Sequence, residues 1–121
     1  MRQCHENGIQ VTSLPGACAL INGLIISGQP TRRFCFEAFL PPDKKERAMI
    51  LEQLKDETRT IILYEAPHRL LKTLEELYST MGNRKMTVCR ELTKKHETVF
   101  VSEMEEVSPI IPNIRQRVSV F

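Results

Sequence analysis

The chain has 121 residues, of which 41% are hydrophobic and 26% charged, and its formal net charge is only +2. That composition fits one globular domain, able to bury about two-thirds of its unfolded surface, and it is not that of a disordered chain. The charge is too small to argue for nucleic acid by itself, and the longest apolar run, Ala17 to Ile26, is broken by Asn22 and Gly23 and too short to span a membrane.

The elements follow in chain order. The polar start, Met1 to Gly8, lacks the apolar stretch of a signal peptide. Ile9 to Leu14 alternates like a short strand, and Pro15-Gly16 then turns the chain into Ala17 to Ser27. That segment is apolar nearly all round, which predicts a buried helix. Gly28 and Pro30 make its stop signal. Arg33 to Phe39 reads as a second strand, rich in aromatic residues. After Pro41-Pro42, Asp43 with Glu46 three residues on has the spacing of a capping box, opening a helix from Lys44 to about Lys55. Ile50, Leu51 and Leu54 form its inner face. Arg59 to Tyr64 is a third strand, and Pro67 suits the first turn of the helix that follows. Leu70, Leu71, Leu74, Leu77, Tyr78 and Met81 make that helix's stripe, and Gly82 ends it. Lys85 to Arg90 is a fourth strand and Thr98 to Val101 a fifth. Strands alternating with helices predict an α/β fold. The segment from Ser108 to Phe121 holds two prolines and no helical face; it reads as loose chain or an edge strand.

Cys4, Cys18, Cys35 and Cys89 are far apart and include no Cys-x-x-Cys pair. Three of them sit in apolar elements, where a free cysteine acts as a small hydrophobe. This usage predicts a reduced, cytoplasmic protein without structural zinc.

Two segments carry most of the chemistry: Tyr64-Glu65-Ala66-Pro67-His68-Arg69 and Arg90-Glu91-Leu92-Thr93-Lys94-Lys95-His96-Glu97. Each ends an apolar, β-branched run with a sudden cluster of ionisable groups. A strand that only packs a core has no need of that ending, and open α/β sheets place ligands at strand carboxyl ends. His68 and Arg69 put positive charge at a helix start, where the macrodipole disfavours it; an anion, or an ion pair with Glu65 or Glu91, would relieve the conflict. The Pro15-Gly16-Ala17-Cys18-Ala19 turn lets a ligand approach the backbone closely. It is neither a dinucleotide fingerprint nor a P-loop. Lys44, Lys45 and Arg47 can track phosphates or form a solvated face. His, Asp and Glu are not spaced as metal ligands, so no metal is expected.

The order of these segments resembles a known family. Gly8-Ile9, Leu14-Pro15-Gly16, Ser27-Gly28-Gln29-Pro30-Thr31-x-Arg33-Phe34, Phe39-Leu40-Pro41 and the two charged segments resemble the bacterial small-subunit ribosomal RNA 2′-O-methyltransferase I family. That family belongs to the tetrapyrrole (corrin/porphyrin) methylase superfamily. The resemblance runs from about Met1 to Val107. It implies an α/β/α sandwich with a mixed, about five-stranded sheet, the second of two domains that share S-adenosylmethionine between them. Residues 1–107 would be that carboxyl-terminal domain, and residues 108–121 an atypical tail that departs from the family's closing helix and strand.

The resemblance also implies roles. Pro15, Gly16, Ala17 and Cys18, with Tyr64, Glu65, Arg90, Glu91 and Leu92, would line the cofactor side. Lys44, Lys45, Arg47, His68 and Arg69 would face small-subunit ribosomal RNA. Glu91, Lys94 and His96 are the groups able to assist loss of the hydroxyl proton, and the sequence does not choose among them. A homodimer is implied as well. Two rivals stand beside this reading. A tetrapyrrole methylase is countered by the two charged segments, which look like the ribosomal branch. A non-catalytic module that dimerises or binds RNA is favoured by the absence of the first domain's cofactor loops.

Overall fold

Two parallel strands joined by a helix form the centre of the fold. The structure, a computed structural model, describes residues 1–106. β1 (Phe34–Phe39) pairs in parallel with β2 (Thr60–Tyr64), and α3 (Lys44–Leu54) makes the crossover. The predicted cap is present: the Asp43 carboxylate accepts the Glu46 N–H at 2.9 Å. α4 (Leu70–Met81) follows β2 and ends at Gly82, whose φ of +74° suits a residue without a Cβ. β3 (Lys85–Arg90) then pairs antiparallel with β4 (Thr98–Glu103), and a 3₁₀ turn covers Met104–Glu106. Before all of these come α1 (Arg2–Glu6) and α2 (Ala19–Ile26).

α4 ties the two strand pairs together. Its Leu77 packs with Leu40 and Leu51 in the main core, beside Leu63 of β2. Its Leu71 and Leu74 meet Met86 and Val88 of β3. The alternate residues of β3 face the other way: Thr87 Oγ1 donates to the Ser27 carbonyl at 2.9 Å, and Cys89 Sγ lies 3.8 Å from the Gly23 carbonyl. α2 and α4 therefore cover opposite faces of β3, which is a sandwich arrangement. The entry to β2 is fixed by a bidentate pair, in which Arg59 reaches both carboxylate oxygens of Glu57 at 2.7 and 2.9 Å. Arg59 holds the Glu57 carboxyl down at about 2, well below its usual range.

Three expectations are corrected, and one short helix is added. Ile9 to Leu14 forms no strand; Leu14 is 90% exposed, and the segment pairs with no strand among the described residues. α2 is not buried all round, because only one side meets β3: Leu24 is buried, while Ile21, Ile25 and Ile26 are exposed. The helix at the start, α1, was not legible in so short and polar a segment. Among the described residues the strands form two separate pairs and not one five-stranded sheet. The expectation for residues 108–121 lies outside the described residues.

β1 carries a bulge. Phe36 pairs with Ile62 and Ala38 with Leu63, so the register shifts by one at Glu37, and Ala38 sits at a φ of +54°. A left-handed backbone costs an L-residue roughly 1–2 kcal/mol, and glycine adopts it freely. Ala38→Gly is therefore expected to raise stability by about 1 kcal/mol without altering the sheet. Urea denaturation checks this, and an unchanged or lowered midpoint would count against strain at Ala38.

Candidate functional site

The carboxyl end of β2 is built on a buried acid. Glu65 is 7% exposed, and both of its oxygens are used. Oε1 accepts the Ala66 N–H at 2.7 Å, and Oε2 accepts the Thr73 hydroxyl at 2.6 Å. Thr73, itself buried in α4, accepts in turn from Arg47 Nη2 at 2.7 Å. Arg47 completes the chain of bonds with an ion pair from Nε to Glu76 at 2.6 Å. The network joins the end of β2 to both α3 and α4. Burying a carboxyl without such partners would be costly.

This network corrects one expectation. Arg47 is not displayed outward with Lys44 and Lys45, because its side chain is only 11% exposed and points to α4. Lys44 and Lys45 are exposed, as expected of a face free to meet solvent or phosphate. His68 and Arg69 are exposed too, in the turn just before α4. Among the described residues neither side chain has a hydrogen bond or an ion pair, so neither Glu65 nor Glu91 relieves their charge.

The carboxyl end of β3 leads into a tight loop. Glu91 and Thr93 both take left-handed backbone, at φ of +50° and +64°. Glu91 Oε2 pairs with Lys94 Nζ at 3.4 Å, and the Lys94 N–H returns to the Glu91 carbonyl at 2.9 Å. Glu97 caps the turn by accepting the Thr93 N–H at 2.7 Å. His96 is exposed, with its carbonyl accepting from Thr98 at 3.3 Å. Arg90 is partly buried, and its Nε finds no partner among the described residues. Non-glycine residues held in left-handed backbone gather at functional sites, because only a demanding geometry sustains the strain.

Between the two strand pairs lies a cavity of about 460 Å³. Consecutive residues of β2 and β3 line it, and α2 closes it with Leu20, Gly23 and Leu24. Tyr64, Glu65 and Leu92 reach this cavity, so the structure brings those three expected residues together. A side chain at Gly23 would meet Leu92 Cδ1 at 3.5 Å, which is ordinary contact, so α2 sits close above the strand end. Arg90, Glu91, Lys94 and His96 are not among the lining residues, and neither is the exposed turn from Pro15 to Cys18. Cys18 is the residue preceding α2, with extended backbone and no side-chain cap. Cys89, at the cavity wall, has its thiol pushed up by burial and next by the Glu97 carboxylate, which keeps it protonated and unreactive.

Sequence reading missed the Glu65–Thr73–Arg47 network. A threonine and an arginine at those positions carry no signal of a shared partner, since the contact spans 26 residues of sequence. It also missed the bulge that turns Phe39 toward Tyr64. The rings of Phe36 and Phe39 stand edge-on to Tyr64, with centroids 5.0 and 5.6 Å away.

Comparison with known proteins decides the family. Residues 1–108 match the family described as Tetrapyrrole (Corrin/Porphyrin) Methylases. The chain belongs to that family. Among its relatives, "Ribosomal RNA small subunit methyltransferase I" of Synechocystis sp. (strain ATCC 27184 / PCC 6803 / Kazusa) is 55% identical over 78% of this chain and 34% of its own length. The protein of the same name from Haemophilus influenzae is 49% identical over 82% of the chain and 35% of its own length. That of Buchnera aphidicola subsp. Acyrthosiphon pisum is 46% identical over 83% and 36%. The chain thus spans about a third of the length of the curated relatives it matches. No helix among the described residues is long and apolar enough to cross a membrane.

The network makes a prediction within this methylase-family domain. Thr73→Val keeps the shape but leaves Glu65 Oε2 and Arg47 Nη2 without their shared partner. A buried unpaired polar group costs about 1–3 kcal/mol, so a loss in that range is expected. The double variant Lys44→Ala/Lys45→Ala should stay within about 0.5 kcal/mol of the parent chain. Chemical denaturation of both variants distinguishes them, and equal midpoints would remove the network from its structural role.

Proposed function

We propose that this chain is the carboxyl-terminal domain, residues 1–107, of an S-adenosylmethionine-dependent methyltransferase that acts on a ribose 2′-hydroxyl of small-subunit ribosomal RNA. The observation that carries the reading is the convergence of two strand carboxyl ends on one cavity, in a chain of the methylase family. Both charged segments leave from those ends. The relatives' printed names supply the substrate class. A protein with that substrate works in the cytoplasm, where ribosomes are, and the exposed isoleucines of α2 suit a homodimer contact. Among the described residues the β2 and β3 edges that line the cavity have no strand between them. A further strand from the intact protein placed there would complete the five-stranded sheet.

The residues present fit part of a cofactor site. Tyr64 offers a ring, Leu92 and the α2 side chains offer apolar walls, and the Pro15 to Cys18 turn leaves its backbone open to a ligand. S-adenosylmethionine supplies the methyl group on a sulfonium. The protein's tasks are then to hold the ribose in line and to accept the hydroxyl proton. Glu91, Lys94 and His96 occupy one loop, and of these His96 is the exposed group not engaged in the Glu91–Lys94 pair. Arg69 is an exposed cation at the neighbouring strand end, suited to phosphate, with the exposed His68 side chain beside it.

The test is a chimera. Residues 1–106 replace the corresponding segment of the Haemophilus influenzae relative, and transfer of labelled methyl groups to small ribosomal subunits is measured. The chimera is expected to modify a ribose hydroxyl. Arg69→Ala within it should melt within a degree or two of the chimera yet lose most of the transfer. A folded chimera without transfer would sink the reading, and an active but destabilised Arg69→Ala would reassign that residue to the fold.

A second outcome concerns the cofactor. Small-ligand sites normally bury roughly 70–90% of the ligand, and this chain offers only one wall. Titration calorimetry with S-adenosylhomocysteine should give no measurable binding to the 121-residue chain at micromolar concentrations and clear binding to the chimera. One-to-one micromolar binding to the chain alone would contradict a shared site.

A further inference from the structure

The bulge in β1 has two energetic costs, and the packing it gains is one edge-on contact between Phe39 and Tyr64. With unbroken alternation, Ala38 would lie opposite Tyr64, and Phe39 would fall on the face that Leu63 presents to the core. The shift at Glu37 reverses this. Ala38 takes strained backbone at φ +54°, and Phe39 joins Phe36 and Tyr64 on the other face. There Phe39 is 58% exposed and Phe36 is 42% exposed. A large ring moved from core to water, at the expense of strain, is the opposite of what stability alone selects. Bulges beside functional sites commonly re-aim a side chain in this way.

The surroundings of these rings identify what they would meet. Phe39 ends β1 and Tyr64 ends β2, and the two residues are paired in register. The chain leaving β1 reaches the exposed Lys44 and Lys45, and the chain leaving β2 reaches the exposed His68 and Arg69. Asp43 and Glu46 lie among them, with the Asp43 carboxylate engaged in capping α3. Aromatic faces beside flexible cations are how proteins hold single-stranded nucleic acid: bases stack on the rings, and the cations follow the phosphates.

We propose that Phe36, Phe39 and Tyr64 form a stacking platform for an unpaired base of the RNA. The inference rests on the reading that the intact protein acts on RNA. It adds a base-binding subsite at the ends of β1 and β2, adjoining the cavity between β2 and β3 through Tyr64, which lines both. Phe39 is the main stacking surface because it is the most exposed of the three. Tyr64 stands edge-on to Phe39 and is itself held edge-on by Phe36. Stacking tolerates any base, so the platform positions a nucleotide near the strand ends without reading its identity.

The test measures binding of the full 121-residue chain to a labelled twelve-nucleotide oligocytidine, and to an abasic strand with the same number of phosphates. Phe39→Leu keeps the residue apolar and removes the ring. It is expected to weaken oligocytidine binding about fivefold or more while leaving abasic binding and the salt dependence unchanged. Lys44→Ala/Lys45→Ala should do the reverse, lowering the slope of log affinity against log salt by about 1.4 for both strands. Tyrosine emission gives a second readout, since the chain has no tryptophan and only two tyrosines. In a Tyr78→Phe background, oligocytidine should quench the Tyr64 signal and the abasic strand should not. Equal binding of the two strands, unmoved by Phe39→Leu, would overturn the platform. A change of sedimentation coefficient in Phe39→Leu would overturn it in favour of a protein contact on this face. If the Haemophilus chimera still methylates ribosomal RNA in either event, the functional reading survives and only the platform falls. If neither the chain nor the chimera binds RNA, both fall.

Discussion

The buried carboxyl of Glu65 is the constraint on which the rest of this domain depends. It sits where β2 ends, and its two oxygens face in different directions. One holds the next backbone amide and so fixes how the chain leaves the strand. The other reaches Thr73, and through it Arg47 and Glu76, so that α3 and α4 are joined at the same point. A hydrophobic contact could join the helices as tightly, but it is non-directional and would leave the strand exit free to vary. A fully satisfied buried polar network has one geometry. His68 and Arg69, held in the turn that this network starts, therefore have a defined place from which to meet a ligand, although their side chains are in solvent.

The non-glycine residues with left-handed backbone among those described are Ala38, Glu91 and Thr93. Ala38 stands one residue before the end of β1, and Glu91 and Thr93 follow β3 directly. Strain is thus confined to strand carboxyl ends and absent from the helices and strand interiors. Each strained residue also serves a neighbour. Ala38 frees Phe39 from the core face, Glu91 bends the chain so that its carboxylate meets Lys94, and Thr93 turns its amide to Glu97. Packing of the core needs none of these bends, whereas presenting polar and aromatic groups around a strand end needs all of them.

What was legible in the sequence follows from which forces are local. The α3 cap at Asp43, the Gly82 stop and the limits of β3 were readable because each is set by neighbouring residues. The strand expected from Ile9 to Leu14 failed for the complementary reason: alternation predicts a strand only if a partner edge is available, and none lies beside that segment among the described residues. The burial of α2 was overestimated in the same way, since an apolar surface implies a partner without saying which chain supplies it. At the site, charged segments marked the strand ends correctly, but charge alone did not separate the buried Arg47 from the exposed Lys44 and Lys45. That separation depends on Thr73 and Glu76, which lie in the next helix but one strand away.

The pattern of exposure closes the argument about what this domain is for. A domain of this size that worked alone would be expected to cover α2's isoleucines, to pair the β2 and β3 edges across the cavity and to bury Phe36 and Phe39. Here the fully buried apolar residues are few and gather round α3 and α4. The opposite side keeps Ile21, Ile25, Phe36 and Phe39 in contact with water. The division is by face: the side held by the Glu65 network is complete, and the side that carries the cavity mouth and the aromatic rings is not. Among the described residues the β2 and β3 edges beside the cavity are unpaired and the α2 isoleucines exposed, and both features favour contact with protein. The rings differ, since the chains leaving their strands carry the exposed Lys44, Lys45 and Arg69, and a planar, negatively backed ligand suits both features at once. One open face thus divides into an aliphatic region with unpaired strand edges and an aromatic region beside cationic side chains.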